Sequence, residues 1–228
     1  MDFQASLNAL NIAYSARQLE QCEIYFQYLT EQNQVMNLTA LTSRDEVYRL
    51  HFLDSLHLAQ AASLKQQTLL DIGAGAGFPS IVLKIFFPEL QITIVDSLQK
   101  RIKFLEELVA KLGLHGVTLI HGRAEELKQR EHFDLVTARA VARLHILSEL
   151  SIPFVKMGGA FIAMKSSKIE DEKEEANHAV ETLGCVFEKK IDYEIDQDRI
   201  HTLLVYRKTK HTPSLYPRTF GQIKHRPL

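Results

Sequence analysis

Tryptophan is absent from the 228 residues, and cysteine occurs only at positions 22 and 185. Two distant thiols in no C-x-x-C or metal-ligand spacing exclude a disulfide framework, and reduced thiols in a cytoplasmic protein are expected. No apolar run approaches the ~18 residues of a membrane span, and the N-terminus lacks the basic-then-apolar layout of a secretory signal. The ten histidines form no H-E-x-x-H, and His51 and His57 stand at no ligand spacing, so no metal is expected. There is little imbalance of charge: 27 Lys and Arg against 28 Asp and Glu. Its distribution is less even, because no acid follows Asp198 while Arg199, Arg207, Lys208, Lys210, Arg218, Lys224 and Arg226 do. Such an end is either a surface for an anionic partner or a solvated tail. Internal repeats and low-complexity tracts are also missing. What remains is one soluble globular domain with a modest extension.

The most informative stretch is Thr68-Leu-Leu-Asp-Ile-Gly-Ala-Gly-Ala-Gly-Phe-Pro-Ser80. A short apolar strand, three glycines at alternate positions and the helix-like run from Ile81 to Phe86 form a strand–turn–helix unit. That unit holds nucleotide-type ligands at the first crossover of a Rossmann-like sheet. Glycine lets backbone approach a ligand with no side chain between. The dinucleotide fingerprint would need glycine at Phe78, so this D-x-G-x-G-x-G resembles instead the turn of S-adenosylmethionine-dependent methyltransferases.

Periodicity predicts strands at 68–73, 92–97, 117–122, 133–138 and 159–165, alternating with helices near 79–87, 98–112, 123–129, 141–156 and 168–183. Strands separated by helices require parallel crossovers. The last two runs, Cys185–Ile195 and His201–Lys208, are joined by the polar Asp196-Gln197-Asp198 and predict an antiparallel hairpin. The fold class is therefore α/β: a mostly parallel seven-stranded sheet with a terminal hairpin. Residues 1–64 predict a helical extension, 65–208 the core domain, and 209–228 a basic C-terminal tail. In the extension, Ser43-Arg-Asp-Glu46 has the form of a capping box that launches a helix from Val47 to Ala62, with His51, Asp54 and Ser55 on one side.

Candidate site residues lie at strand ends, where open α/β sheets bind ligands. Asp96 ends the second strand and suits the two hydroxyls of a ribose. Gly122-Arg123-Ala124-Glu125 follows the third, where a base edge would be read, although Glu125 serves equally as a first-turn acid. Arg139 ends the fourth strand and points at the reaction zone. The acceptor chemistry is read from absences: no Asn/Asp-Pro-Pro-Tyr to orient an amine, no Pro-Cys nucleophile, and Arg139 where a 2′-hydroxyl acceptor would need an aspartate. An acceptor that needs no base, such as guanine N7, remains. Arg143, Lys165 and Arg199 add positive charge on the same rim, suited to phosphate or to guanine.

With these residues in view, the chain resembles the bacterial 16S ribosomal RNA guanine-N7 methyltransferases (the RsmG, or glucose-inhibited division protein B, family). The resemblance runs through Asn37-Leu-Thr-Ala40, His51-x-x-Asp54-Ser-Leu56, Asp71 to Pro79, Asp96-Ser97-x-x-Lys100-Arg101, Arg123-Ala-Glu125, Arg139-Ala140 and Tyr216-Pro-Arg218. It implies contacts to S-adenosylmethionine at Gly73, Gly75, Gly77, Phe78, Ala124, Glu125 and Arg139, and RNA or phosphate contacts at Arg123, Arg139, Lys165 and Arg199. It implies a guanine in the decoding-region loop of 16S RNA as substrate. A monomer that meets the small ribosomal subunit is expected. The family usually carries Gly after the proline, where this chain has Ser80, and Gly after the strand-five lysine, where it has Ser166. Two other readings stay open: a methyltransferase of the same fold acting on a small molecule or protein, and a non-catalytic RNA-binding factor.

Overall fold

Seven strands, β1 (Thr68–Ile72), β2 (Gln91–Asp96), β3 (Val117–His121), β4 (Phe133–Arg139), β5 (Val155–Ser166), β6 (Cys185–Asp196) and β7 (Arg199–Lys208), form one sheet in the order β3-β2-β1-β4-β5-β7-β6. This computed structural model describes residues 2–166, 169–196 and 199–228. Lys168 of the predicted helix 168–183, and Gln197 and Asp198 of the predicted hairpin turn, lie outside the described residues. Strands β3 to β5 are parallel, and β7 runs antiparallel to both β5 and β6. The central strands are apolar on both faces because helices cover both.

Alternate strand residues divide between two cores. Leu69, Ile92, Leu135 and Ile162 face α1 (Phe3–Ala9), α2 (Ala16–Met36), the helical stretch 44–60, α5 (Ser80–Phe86) and α6 (Gln99–Leu112). Leu70, Val95, Val136 and Phe161 face α7 (Leu144–Ser151), α8 (Glu170–Thr182) and α9 (Phe220–His225). The N-terminal helices thus share a core with the sheet. Helix α2 begins at a Ser15/Gln18 capping box, and three of its polar side chains reach into the body. Gln18 and Gln21 donate to the carbonyls of Ile85 and Leu112, each at 2.7 Å, and the Tyr25 hydroxyl donates to the carbonyl of Ala76 at 2.5 Å. Two of those carbonyls end helices and have no partner within them.

Three predicted helices differ from the structure. Ser43 does cap, accepting from the Glu46 N–H, but the stretch it starts is not one α-helix. It passes from α3 (Arg44–Val47) through a π-helical segment, Tyr48–Leu53, to α4 (Asp54–Leu56) and a 3-10 turn, His57–Gln60. The expected helix 123–129 is a single 3-10 turn, Ala124–Glu126, because Leu127 takes an extended backbone. Helix α7 is shorter than the predicted 141–156. Ala140 has φ of 57° and Arg143 is extended before its start, while Pro153 sits in the 3-10 turn after its end.

The C-terminal segment, 209–228, is docked at a few points while most of its side chains stay exposed. Thr212 is pinned through the Leu183 carbonyl and the Glu131 carboxylate, and Ile223 of α9 is fully buried. Among the described residues no helix is long and apolar enough to cross a membrane.

Candidate active site

The turn after β1 holds Gly73, Gly75 and Gly77 at φ of 69°, 61° and 100°, a region that glycine enters without steric penalty. The three serve different ends. A Cβ on Gly75 would meet nothing within 4 Å, so its backbone faces open space. A Cβ on Gly77 would fall 2.7 Å from Ile81 and 2.8 Å from the Tyr25 hydroxyl, so this glycine is required by packing. Phe78 is likewise interior: its ring stacks on Tyr25 at 5.2 Å and on His51 at 4.4 Å. Asp71, fully buried at the end of β1, accepts from the Ser80 hydroxyl at 2.5 Å and from its N–H at 3.3 Å. Its Oδ1 has no partner, and burial lifts its pKa to about 7.

Beyond Gly73 opens a cavity of about 280 Å³, bordered by Asp96, Arg123, Ala124, Glu125, Ala140 and Phe220 among others. The buried Asp96 carboxylate accepts from the N–H groups of Gly75 (3.3 Å) and Leu98 (2.9 Å) and pairs with Arg101 at 3.3 Å. An ionised carboxylate has about four lone-pair directions, so Asp96 keeps capacity for one more donor, and for two if Arg101 swings away. Glu125 is nearly buried at 4.0 Å from Arg123.

A second cavity, of about 420 Å³, meets the first at Ala140. Its floor is a network built on Asp54, which accepts from Arg139 (2.8 Å), the Tyr193 hydroxyl (2.8 Å) and His201 (2.7 Å). Burial alone would raise the Asp54 pKa, but the hydrogen bonds and charges of His201 and Arg139 outweigh it and hold the carboxyl below its ordinary value. Arg139 also donates to His51 Nδ1 at 3.1 Å and to the Leu50 carbonyl at 3.3 Å, and lies 5.0 Å from the centre of the Phe78 ring. His51 Nδ1 also lies 3.1 Å from the Leu50 carbonyl, so it faces both an acceptor and the Arg139 donor, while Nε2 lies 2.8 Å from the Thr39 hydroxyl. Burial, and then the charge of Arg139, push its pKa down to about 3.

The predicted residues therefore fall into groups. Gly73, Asp96, Arg123, Ala124 and Glu125 border the first cavity, with Gly75 tied to Asp96. Arg139 borders the second, and Gly77 and Phe78 lie behind both. Lys165 lines the second cavity but is bound to the Ala142 carbonyl and to Glu172. Arg143 forms an exposed pair with Glu175, and Arg199 lies exposed at the start of β7. Tyr193, His201 and Phe220 were not singled out in the sequence. The hairpin hid the first two, because only its register sets Tyr193 opposite His201. For Phe220 the available signal was Thr219 with Gln222, a capping-box pair.

A seven-stranded sheet with β7 inserted antiparallel, a glycine turn after β1 and an acid ending β2 define the Rossmann-like methyltransferases as a fold class. Solved structures share this shape. A geranyl diphosphate methyltransferase in complex with SAM superposes with a TM-score of 0.58 at 14% identity, covering 72% of this chain and 88% of that one. The YcgJ protein of Bacillus subtilis gives 0.55 at 16% identity, covering 70% of this chain and all of the other. The family itself is fixed by sequence: residues 18–199 match the family described as rRNA small subunit methyltransferase G, and the chain belongs to it. Proteins named ribosomal RNA small subunit methyltransferase G are 47% identical in Lachnoclostridium phytofermentans, over 99% of this chain and 96% of that protein. In Limosilactobacillus reuteri the figure is 48%, over 99% and 98%.

Proposed function

We propose that this protein transfers a methyl group from S-adenosylmethionine to ring nitrogen 7 of a guanine in 16S ribosomal RNA. The residues present suit that cofactor. Open space lies in front of Gly75, Asp96 retains acceptor capacity, and the buried Asp71 Oδ1 lacks a partner. Asp96 would take the ribose hydroxyls, Ala124 and Glu125 would border the base, and the Gly73–Gly75 backbone would run beside the rest. When bound, the cofactor supplies an electrophilic methyl on a sulfonium.

One observation carries the choice of acceptor. The carboxylates and His51 at the floor of the second cavity are committed: Asp54 to three donors, His51 Nδ1 to Arg139, and Glu172 to Lys165. Among the described residues this leaves the Nε2 of His201, itself bound to Asp54 through Nδ1, as the one ring nitrogen there able to act as a base. An amine or hydroxyl would have to give up a proton as it is methylated. Guanine N7 attacks with a ring lone pair and needs no proton removed. The contribution of the chain is then alignment and exclusion of water. Arg139, locked by Asp54, His51 and the Leu50 carbonyl, acts as a positioning residue at the junction of the cavities. Arg123, Arg143, Lys165 and Arg199 supply cations for phosphates. In this reading residues 65–208 are the methyltransferase unit, 1–64 a helical layer packed on it, and 209–228 a segment that borders the site. The protein works as a monomer in the cytoplasm, where ribosomal RNA is found.

The test is transfer of labelled methyl from S-adenosylmethionine to small ribosomal subunits and to deproteinised 16S RNA, followed by nucleoside analysis. Label in 7-methylguanosine is expected; label in any other nucleoside would refute the acceptor.

A further inference from the structure

The C-terminal segment contributes a side chain to the first cavity that nothing in the glycine turn anticipates. Phe220, the first residue of α9, is the one aromatic ring among the described residues lining that cavity, where it borders the same space as Ala124, Glu125 and Leu150. The Arg123 guanidinium lies 5.2 Å from the centre of its ring. This ring is held in place. Just before it, Arg218 grips the fully buried Glu149 of α7 through its backbone N–H (2.9 Å), Nε (2.8 Å) and Nη2 (2.5 Å). The Thr219/Gln222 capping box fixes the start of α9, and Ile223 anchors it in the core.

We infer that residues 216–225 form the outer wall of the cofactor site, with Phe220 as the aromatic surface for the purine base of a nucleoside ligand. The inference rests on the cofactor reading above and deepens it. An apolar ring beside a carboxylate that can accept from an amino group suits adenine: the ring covers the face of the base, and Glu125 meets its edge. By this assignment the segment serves the cofactor first, and its basic residues act near the RNA only once it is docked. Because the wall and the ligand share one surface, each stabilises the other.

The experiment measures affinity of the full chain for S-adenosylmethionine, S-adenosylhomocysteine and adenosine by calorimetry, alongside backbone hydrogen exchange. Phe220→Ala is expected to weaken all three ligands by a similar factor of about 5 to 140, the range of a lost base–aromatic contact. Phe220→Tyr should stay within about twofold of the unaltered chain. Exchange at residues 216–225 should slow when ligand is added to the unaltered chain, a readout that needs no variant. Equal affinity of Phe220→Ala, a loss confined to S-adenosylmethionine with adenosine unchanged, or unaltered exchange at 216–225 would each overturn the inference. Failure of the unaltered chain to bind any of the three would instead overturn the cofactor reading, and the wall with it.

Discussion

His51 shows how strongly a single position can be constrained by its neighbours. In the unfolded chain it titrates near 6.5, but in the fold burial and Arg139 keep it neutral down to about pH 3. Between those values the unfolded state binds a proton that the native state refuses. Stability is therefore lost as pH falls through 6.5, by up to about 1.4 kcal/mol per pH unit from this residue alone. His57, also depressed by burial, adds in the same direction. His51→Gln should accordingly lose less stability between pH 7 and pH 5 than the unaltered protein, as measured by urea unfolding at each pH. An identical slope would mean that His51 is protonated in the fold. Sequence spacing already set His51, Asp54 and Ser55 on one side of a helix. It could not show that the partners of His51 and Asp54 are Arg139, Tyr193 and His201, because those contacts arise from strands distant in sequence.

Within the glycine turn, three residues that look alike in the sequence separate by role. Gly77→Ala adds a methyl against Ile81 and Tyr25 in a left-handed backbone, and should cost about 2–4 kcal/mol of folding stability. Gly75→Ala enters open space, so thermal unfolding should shift by only about 1 kcal/mol of strain, while affinity for S-adenosylmethionine falls in calorimetry. The reverse pattern would exchange their roles. Strand positions were legible here, since β1 to β4 each fall within a residue or so of the predicted spans. Their signal is a local apolar run. The 44–60 stretch was legible only as helical, because its sequence carries the apolar stripe of an α-helix and nothing marks the π-helical Tyr48–Leu53. In the finished protein that segment brings the Leu50 carbonyl and His51 to Arg139. The basic end was legible only as charge, which left a partner surface and a solvated tail equally open. Nothing in its composition showed that Arg218 pairs with a buried acid or that Lys208, the last residue of β7, is fully buried.

At the scale of the molecule, topology explains why the site gathers residues from both ends of the chain. Because β7 runs against β5, its first residues lie beside the last residues of β5, with His201 opposite Ser166. Strand β6, antiparallel to β7, brings Tyr193 to the same edge. Beneath the net charge of −1, two of the four cations proposed to meet phosphates, Arg143 and Lys165, are held by acids of α8. RNA binding should therefore weaken with salt at a slope no steeper than about −4, the limit if four phosphates are neutralised at roughly −0.9 each. Cofactor affinity should barely change. A flat RNA response in a filter-binding titration would remove these cations from recognition.

The position of β7 between β5 and β6 also governs how the chain meets the cell while it is being made. Strand β6 leaves the ribosome before β7, yet β7 is its one neighbour in the sheet. At ~5–20 residues per second, the stretch from the end of β5 at Ser166 to the end of β7 at Lys208 takes roughly 2–8 s to synthesise. During that interval the nascent β5 keeps an open edge, and β6, once made, lacks its neighbour until β7 follows. Every copy of the protein thus passes through a sticky adolescence that ends only when its last strand arrives.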